Sequence, residues 1–565
     1  MSTDSVEQMK WWGWGDLKKE FEIKDKPNLW PYITTSCGMD PMIQKTTPPK
    51  KLDDIHLPLQ KINQEFIDFI DANLSTHQIK FDKHERLLHC YGKSFRDLWR
   101  IRNGIVNSAP DAVCYPESEN DVLIIIKAAV QYNVVIIPFG GGSNIAGCLE
   151  ALDPQNRMVV SLDLKKMNKI LEVNCHSMTA RIQAGAMGPL LEKTLNKQNM
   201  TLGHFPDSFE YSSIGGWIAT RSAGMKSDKY GKIEDMVISL RVVTPLGVIE
   251  TRTVPKSSNG IDINHLCIGS EGIFGVITEA TMEIHPLPER NIFLGYIFPD
   301  FESGTSALYE CATKDCLPAM TRLNDAQKTM LSFAFKSKSA WVMQIISSGI
   351  KYYLKNIKRF DMNKICLLLV GFEGDQKSFL SQKKKVHAIY KRFGAVALGK
   401  SPGQSFEKGK YDFPYLRDLV MDYGITVDVS ETSATWSNLQ TLYSKTMEAA
   451  CNAITETGSK PWCGCHISHT YRTGASLYFT FAFKQSSDEV IKEYLQVKKA
   501  VEDSFMKHNG TLSHHHAVGY EHMPWIIEDI SLTGAKAIHG IKMTIDPKRI
   551  MNPGKIIPNE IVHPI

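Results

Sequence analysis

The stretch Val134-Val-Ile-Ile-Pro-Phe-Gly-Gly-Gly-Ser-Asn-Ile-Ala-Gly147 decides the reading of this chain. An apolar, β-branched run passes directly into three consecutive glycines and then into hydroxyl and amide side chains. Glycines adopt backbone conformations closed to other residues, and adjacent ones turn several N–H groups toward one concavity, a nest that suits a pyrophosphate. The spacing excludes two common nucleotide loops. No Lys follows at the place a Walker loop requires, and the G-x-G-x-x-G pattern of a Rossmann turn is absent. By itself, a glycine triplet after a strand is more often a tight loop than a nucleotide site.

Two further glycine-rich stretches weigh against coincidence. Gly203-His-Phe-Pro-Asp-Ser-Phe-Glu-Tyr-Ser-Ser-Ile-Gly-Gly-Trp-Ile-Ala-Thr-Arg-Ser-Ala-Gly-Met225 leads a polar loop into small residues, which permit close approach of a bulky ligand. Gly269-Ser-Glu-Gly-Ile-Phe-Gly-Val-Ile-Thr-Glu279 is a turn entering a β-branched strand, whose backbone can pair with the edge of a heterocycle. All three lie within one domain-sized region.

The order PFGGGSN, PDSFEYSSIGG with TRSAGM, and GSEGIFGVITEA resembles the FAD-binding domain of the vanillyl-alcohol-oxidase superfamily, with Asn552-Pro-Gly-Lys555 as in its oxidase branch. From Met9-Lys-Trp-Trp-Gly-Trp-Gly15 through Leu512-Ser-His-His-His516, the chain is similar to the alkyldihydroxyacetonephosphate synthase family. The resemblance covers most of the chain, and the histidine triplet after Leu-Ser is its most specific mark. It implies an α+β fold: a PCMH-type FAD-binding domain of two subdomains, an α+β cap that holds substrate, and a helical N-terminal region.

It also implies non-covalent FAD, since the PFGGG loop holds no His or Cys. The cofactor-binding residues carried over are Pro138, Phe139, Gly140, Gly141, Gly142, Ser143 and Asn144 in the first loop. The second loop supplies Asp207, Ser208, Phe209, Glu210, Tyr211, Ser212 and Ser213, with Thr220, Arg221, Ser222 and Ala223. The third supplies Glu271, Gly272, Ile273, Phe274, Gly275, Val276 and Ile277.

The candidate chemistry lies outside those loops. Tyr478 stands in Ser476-Leu-Tyr-Phe-Thr-Phe-Ala-Phe483, where alternating aromatics usually mean packing. The resemblance makes it the proton donor and acceptor, and base work by a phenol (pKa ~10) calls for cationic neighbours that lower it. His514, His515 and His516 are followed by His522; in an extended strand 514 and 516 would share one face. Histidine spacing alone supplies no four-ligand metal set, so no metal is expected. The resemblance instead lines the active site with the triplet, where imidazole can donate, accept and hold a proton near neutrality.

Arg417, in Tyr415-Leu-Arg-Asp-Leu-Val420, reads either as half of a surface ion pair or, by resemblance, as the fork that binds substrate phosphate. Arg322, in Met320-Thr-Arg-Leu-Asn-Asp325, matches a family arginine needed for activity, or else braces a loop against the flavin domain.

Composition is that of an ordinary globular protein: 565 residues, 43% hydrophobic, 22% charged, with a net charge of +4. That charge is too small for a nucleic-acid reader. The 12 cysteines follow no disulfide framework, so an intracellular, reducing compartment is expected. The start lacks a basic and apolar signal pattern, and the end lacks a Ser-Lys-Leu address. Animal relatives by resemblance are peroxisomal, which leaves peroxisome and cytoplasm both open.

Four regions are expected: a helical preamble over 1–102 in which no chemistry is visible, the FAD-binding domain over 103–288, the cap over 289–510, and a tail over 511–565 returning to the flavin. Residues 399–411, rich in Gly and Lys, read as a mobile surface loop or a lid over an anionic substrate. Residues 331–359 mix apolar and basic residues without an acid, as a face resting on anionic lipid would.

The activity implied is exchange of the acyl group of acyl-dihydroxyacetone phosphate for a long-chain fatty alcohol, with flavin N5 acting covalently and no net oxidation. A homodimer is the prior for such an enzyme. Some residues depart from the resemblance. His466 and His469 stand where animal synthases have Arg and Gln, and Tyr520 stands where the family continues Gly-Lys. A competing reading is therefore an FAD-dependent 2-hydroxy-acid dehydrogenase or oxidase of the D-lactate or glycolate type. A flavin-free lipid-binding protein is the third, and it requires all three glycine loops to be coincidental.

Overall fold

The structure, a computed structural model, describes residues 9–153, 155–335, 349–485, 489–558 and 561. The deciding stretch begins as the strand Val135–Phe139, fed by the helix Glu119–Tyr132. Ser118 caps that helix by accepting from the Asp121 N–H, and Asn133 ends it in the left-handed region at φ 57°. The strand pairs in parallel with Val159–Asp163, which pairs in parallel with Ala112–Cys114. The short strand Ile79–Lys80 completes this four-stranded sheet on the far side of Ala112–Cys114. Buried on both faces, such strands read as continuous apolar runs, which is why Val-Val-Ile-Ile is legible.

A second, antiparallel sheet of five strands runs Ile170–Asn174, Thr179–Gln183, Val276–Glu283, Val237–Thr244 and Gly247–Glu250 in spatial order. One apolar core serves both sheets, from Val122 and Ile136 through Leu191 and Trp217 to Ala280 and Met551. The tail is stitched into it: the Ile136 N–H donates to the Ile550 carbonyl, and the Asn552 N–H returns to the Ile136 carbonyl.

The cap is a seven-stranded antiparallel sheet, ordered Val396–Gly399, Arg290–Phe298, Cys366–Gly374, Met320–Asn324, Trp462–Thr470, Gly474–Lys484 and Ile425–Thr435. Its strands obey a period of two. Phe479, Phe481 and Phe483 are wholly buried against the helices Trp436–Glu456 and Val490–Lys507, at roughly 1.5–3 kcal/mol each. Tyr478, Thr480 and Ala482 take the opposite face and line a cavity.

Two expectations change. Residues 399–411 are no loop, because Ser401–Gly409 forms a helix with Pro402 in its first turn. Gly403 rests on Phe293 and Pro402 on Gly295, so the segment is packed onto the cap sheet. The preamble is not a separate unit either: Phe66 and Ile70 enter the flavin-domain core, and Phe95 and Leu98 enter the cap core. Of the basic, apolar segment, residues 336–348 lie outside the described residues. Residues 353–357 form a short π-helical stretch whose Leu354 is buried beside Met320 and Leu369.

Candidate active site

A cavity of about 440 Å³ lies between the flavin domain and the cap. All three glycine loops reach it, through residues 138–144, then Asp207, Ser208, Ser212, Ser213, Thr220, Ser222 and Ala223, then Glu271, Gly272, Gly275 and Ile277. The first two are clamped together. A Cβ on Gly141 would lie 1.9 Å from the Tyr211 carbonyl oxygen, and Gly142 sits at φ +66°. Among the described residues, the backbone N–H groups of Gly140 through Asn144 find no acceptor. Five successive free donors on a cavity wall are rare, since buried backbone N–H groups are almost always paired. That donor row fits a dinucleotide pyrophosphate.

The opposite wall is the cap sheet, and its register grades from apolar to polar. Val427, Ala482 and Trp462 form one cross-strand row; Val429, Thr480 and Gly464 the next; Glu431, Tyr478 and His466 the third. Lys328 comes from the helix Ala326–Ala334, capped by Asp325. Its ammonium lies 2.6 Å from Thr480 Oγ1, 3.2 Å from His466 Nδ1 and 5.4 Å from the Tyr478 ring centre. Burial pulls the Lys328 pKa down to about 8, and Arg322 adds to this.

Arg322 is part of the Met320–Asn324 strand rather than a loop, and its guanidinium faces Phe406 and Phe413 across the cavity. The expected lowering of Tyr478 does not occur. Burial drives its phenol well above the ordinary value, Asp207 adds to this, and Arg322 only partly opposes it. At neutral pH the group is an acid holding its proton.

The histidine triplet is an irregular turn, not a strand. Its geometry comes from Glu431, whose Oε1 accepts from the N–H groups of His514, His515 and His516 at 2.9–3.0 Å and from Ser513 Oγ at 2.8 Å. One fully buried carboxylate thus gathers four donors and folds the triplet around itself. Burial alone would push this carboxyl up; His515, His516 and His514 hold it well below its ordinary value, and hydrogen bonds to the charged form act the same way. His516 and His515 point into the cavity, their rings 5.2 and 6.0 Å from that of Tyr478. Asn144 Nδ2 lies 3.4 Å from the His516 carbonyl, joining the triplet to the first glycine loop.

Residues 110–252 match the family described as FAD binding domain, and residues 287–556 match the C-terminal domain of FAD-linked oxidases. The alkyldihydroxyacetonephosphate synthase of Dictyostelium discoideum is 41% identical over 98% of this chain and 94% of its own length. The chain belongs to the alkyldihydroxyacetonephosphate synthase family. The synthase of Trypanosoma brucei brucei is 38% identical over 99% of this chain and 94% of its own length. A solved structure of an alkyldihydroxyacetonephosphate synthase superposes with a TM-score of 0.84 at 39% identity, covering 97% of this chain and 99% of that one. The cofactor is FAD, as both matched families state.

Not every residue carried over to this synthase-family chain reaches the cavity wall. Phe209 packs on Gly188, Trp217 and Tyr411, while Glu210 and Tyr211 turn toward Lys19 and Trp14. Arg221, at φ 51°, donates to the Ile268 and His265 carbonyls. Ile273 and Phe274 join a cluster with Ala535 and Ile557, and Val276 lies in the flavin-domain core. His514 is also held off the wall, its Nε2 2.6 Å from the Tyr471 hydroxyl. Glu271 lines the cavity, yet its carboxylate accepts from the Val518 and Gly519 N–H groups, so it braces the tail.

Sequence reasoning passed over Glu431, Lys328 and the N-terminal Trp14, Tyr32, Ile33, Ser36 and Cys37, all near or on the wall. Glu431 carried a legible signal, an acid inside the strand-like Ile425–Thr435 run. The N-terminal residues carried none, since their place depends on docking against the cap at Val420 and Trp462.

Proposed function

We propose that this chain makes the ether bond of ether lipids, exchanging the acyl group of acyl-dihydroxyacetone phosphate for a long-chain alcohol. The observation that carries this is the two-ended cavity. One end holds Tyr478, His515, His516, Arg322 and Arg417 beside the glycine loops. The other is walled by Ile33, Leu331, Phe335, Val420, Val427 and Trp462, a lining for an aliphatic chain.

Bound FAD would supply a ring atom able to bond transiently to the substrate carbon, splitting one displacement into two. The protein's own groups do the rest. Arg417 Nη1 donates to the Lys93 carbonyl at 2.5 Å, while its buried Nε has no acceptor and is available to a phosphate oxygen. Tyr478 holds a proton at its phenol oxygen for transfer to and from the exchanging oxygens. The apolar wall excludes water, which would otherwise take the place of the alcohol.

A peripheral membrane association is part of this reading. Lys351, Lys355 and Lys358 are exposed together with Tyr352, Tyr353 and Ile357, the last 62% exposed. Leu354, between them, packs on Met320 and Leu369, which line the cavity. No helix among the described residues is long and apolar enough to cross a membrane. Liposome binding unchanged after Lys351, Lys355 and Lys358 are all made Ala counts against this face. A homodimer and a peroxisomal location complete the reading, tested by sedimentation and by cell fractionation.

The deciding assay offers FAD-loaded protein palmitoyl-dihydroxyacetone phosphate and labelled hexadecanol. Labelled ether product without reduction of an electron acceptor is expected. Acceptor reduction driven by D-lactate, with no ether formed, replaces this reading with the hydroxy-acid dehydrogenase.

A further inference from the structure

Behind the face of the histidine turn that meets Tyr478, a third ring joins two members of the triplet. His469 belongs to the Trp462–Thr470 strand, where pairing with the neighbouring strand shifts register between Ile467 and Thr470. Such irregularities re-aim side chains. Here the shift brings a ligand atom of His469 within 4.8 Å of those of His514 and His515. The Nδ1 atoms of His514 and His515 are themselves 2.9 Å apart.

We propose that His469, His514 and His515 form a binding site for a zinc-class divalent cation on the cavity wall. The donor chemistry selects the ion. Imidazole nitrogens suit zinc, cobalt, nickel and copper, whereas magnesium and calcium take oxygen ligands. Ligand nitrogens about 2.0–2.1 Å from zinc stand roughly 3.3 Å apart in a tetrahedron, so closure asks side-chain movements of no more than about 1.5 Å.

Two of the rings already have their outer nitrogens held, as ligating histidines do. Ser227 Oγ lies 2.5 Å from His469 Nδ1, and the Tyr471 hydroxyl lies 2.6 Å from His514 Nε2. Each contact engages one ring nitrogen only, and on His514 the other, Nδ1, is the atom that meets His515 Nδ1, where a common ion would take the place of their hydrogen bond. His469 and His515 line the cavity, so the remaining coordination position opens toward it, ready for water or an anionic oxygen.

A second, independent observation concerns charge. The wholly buried Glu431 carboxylate has Oε2 3.2 Å from His515 Nδ1 and 3.9 Å from His514 Nδ1. Its ion-pair partners among the described residues are only the three histidines, with no Lys or Arg. A buried carboxylate with no Lys or Arg beside it is costly, and a cation between His514 and His515 would balance it.

The test uses full-length, FAD-loaded protein freed of metal with a chelator and titrated with cobalt(II) chloride. The expected result is visible ligand-field absorption of a four- or five-coordinate nitrogen site, saturating at one equivalent and discharged by zinc. His469→Gln and His514→Gln should each weaken cobalt binding at least tenfold with flavin absorbance retained. Ser227→Ala, which leaves all three ligands, should weaken it by about 10- to 100-fold. No saturable cobalt band in the unmodified protein overturns the proposal, as does a band that all three variants leave intact. The readout is independent of ether formation, so failure of the proposed reaction would leave it standing.

Discussion

Glu431 and Tyr478 are cross-strand partners, residue opposite residue, in the antiparallel pair Ile425–Thr435 and Gly474–Lys484. The strand that presents the phenol is thus paired with the strand that shapes the histidine turn. Both side chains serve one end of the cavity, and a two-residue slip of either strand would separate them by about 7 Å.

Glu431→Gln tests that coupling. An amide cannot accept four donors on one oxygen and carries no charge, so part of the turn is left unpaired at a cost of about 2–4 kcal/mol. The kcat/KM for ether formation should fall about 30- to 800-fold, since 1.36 kcal/mol is tenfold. FAD content should hold, because the glycine loops do not depend on Glu431. Near-normal turnover would show that the turn keeps its shape without the carboxylate.

Gly141→Ala addresses the cofactor instead. The new methyl carbon would fall 1.9 Å from the Tyr211 carbonyl oxygen and 2.7 Å from its carbon, both backbone atoms. Neither can move aside without opening the clamp between the first two glycine loops. Purified variant should be nearly colourless, with FAD affinity at least tenfold weaker, as spectroscopic titration would read. Full flavin occupancy would mean that the loops part without harm.

Much of this was legible in the sequence because it is local. The glycine loops announce themselves through runs of residues lacking Cβ, and the strand before the first through its β-branched run. Tyr478 was nameable only by resemblance, since it and the adjacent aromatics Phe479 and Phe481 look alike in a string and differ only in which face of the strand they take. Glu431 showed only as an acid inside a strand-like run and His469 only as a departure from the resemblance. Their roles arise from pairing between strands and from a register shift, and neither leaves a spacing signature. The 399–411 segment was misread because Gly and Lys signal a loop, whereas packing on Phe293 and Gly295 pays for a helix.

Stability should fall as pH drops below neutral, for a reason separate from the active site. Burial lowers His204 and His522 to about 3 each, so both stay neutral in the folded protein through mildly acidic conditions. In the unfolded chain they take protons near the ordinary value of ~6.5, so the unfolded state binds more protons below that pH. Their stabilising contribution is therefore complete above ~6.5 and is lost as pH falls toward 3. Each contributes a slope of about 1.4 kcal/mol per pH unit across that window. Urea unfolding at pH 7, 6 and 5 should show the decline, and His204→Gln should flatten it; an unchanged slope in that variant would remove His204 from the account.

Chain length should be set at the apolar end of the cap wall. Ala482 faces the cavity four residues beyond Tyr478 on the same strand face, about 13 Å away at 3.3 Å per residue. Its cross-strand neighbours Val427 and Trp462 leave little room for another ring. Ala482→Trp should block the cavity there without touching Tyr478 or the histidines. Each methylene denied burial costs ~0.8 kcal/mol, roughly fourfold in kcat/KM. The variant should accordingly keep activity with short alcohols and lose it steeply from decanol to hexadecanol, in a series measured at fixed acyl donor. An unaltered preference would place the aliphatic chain along another wall, and Leu331 and Phe335 would then be the positions to fill.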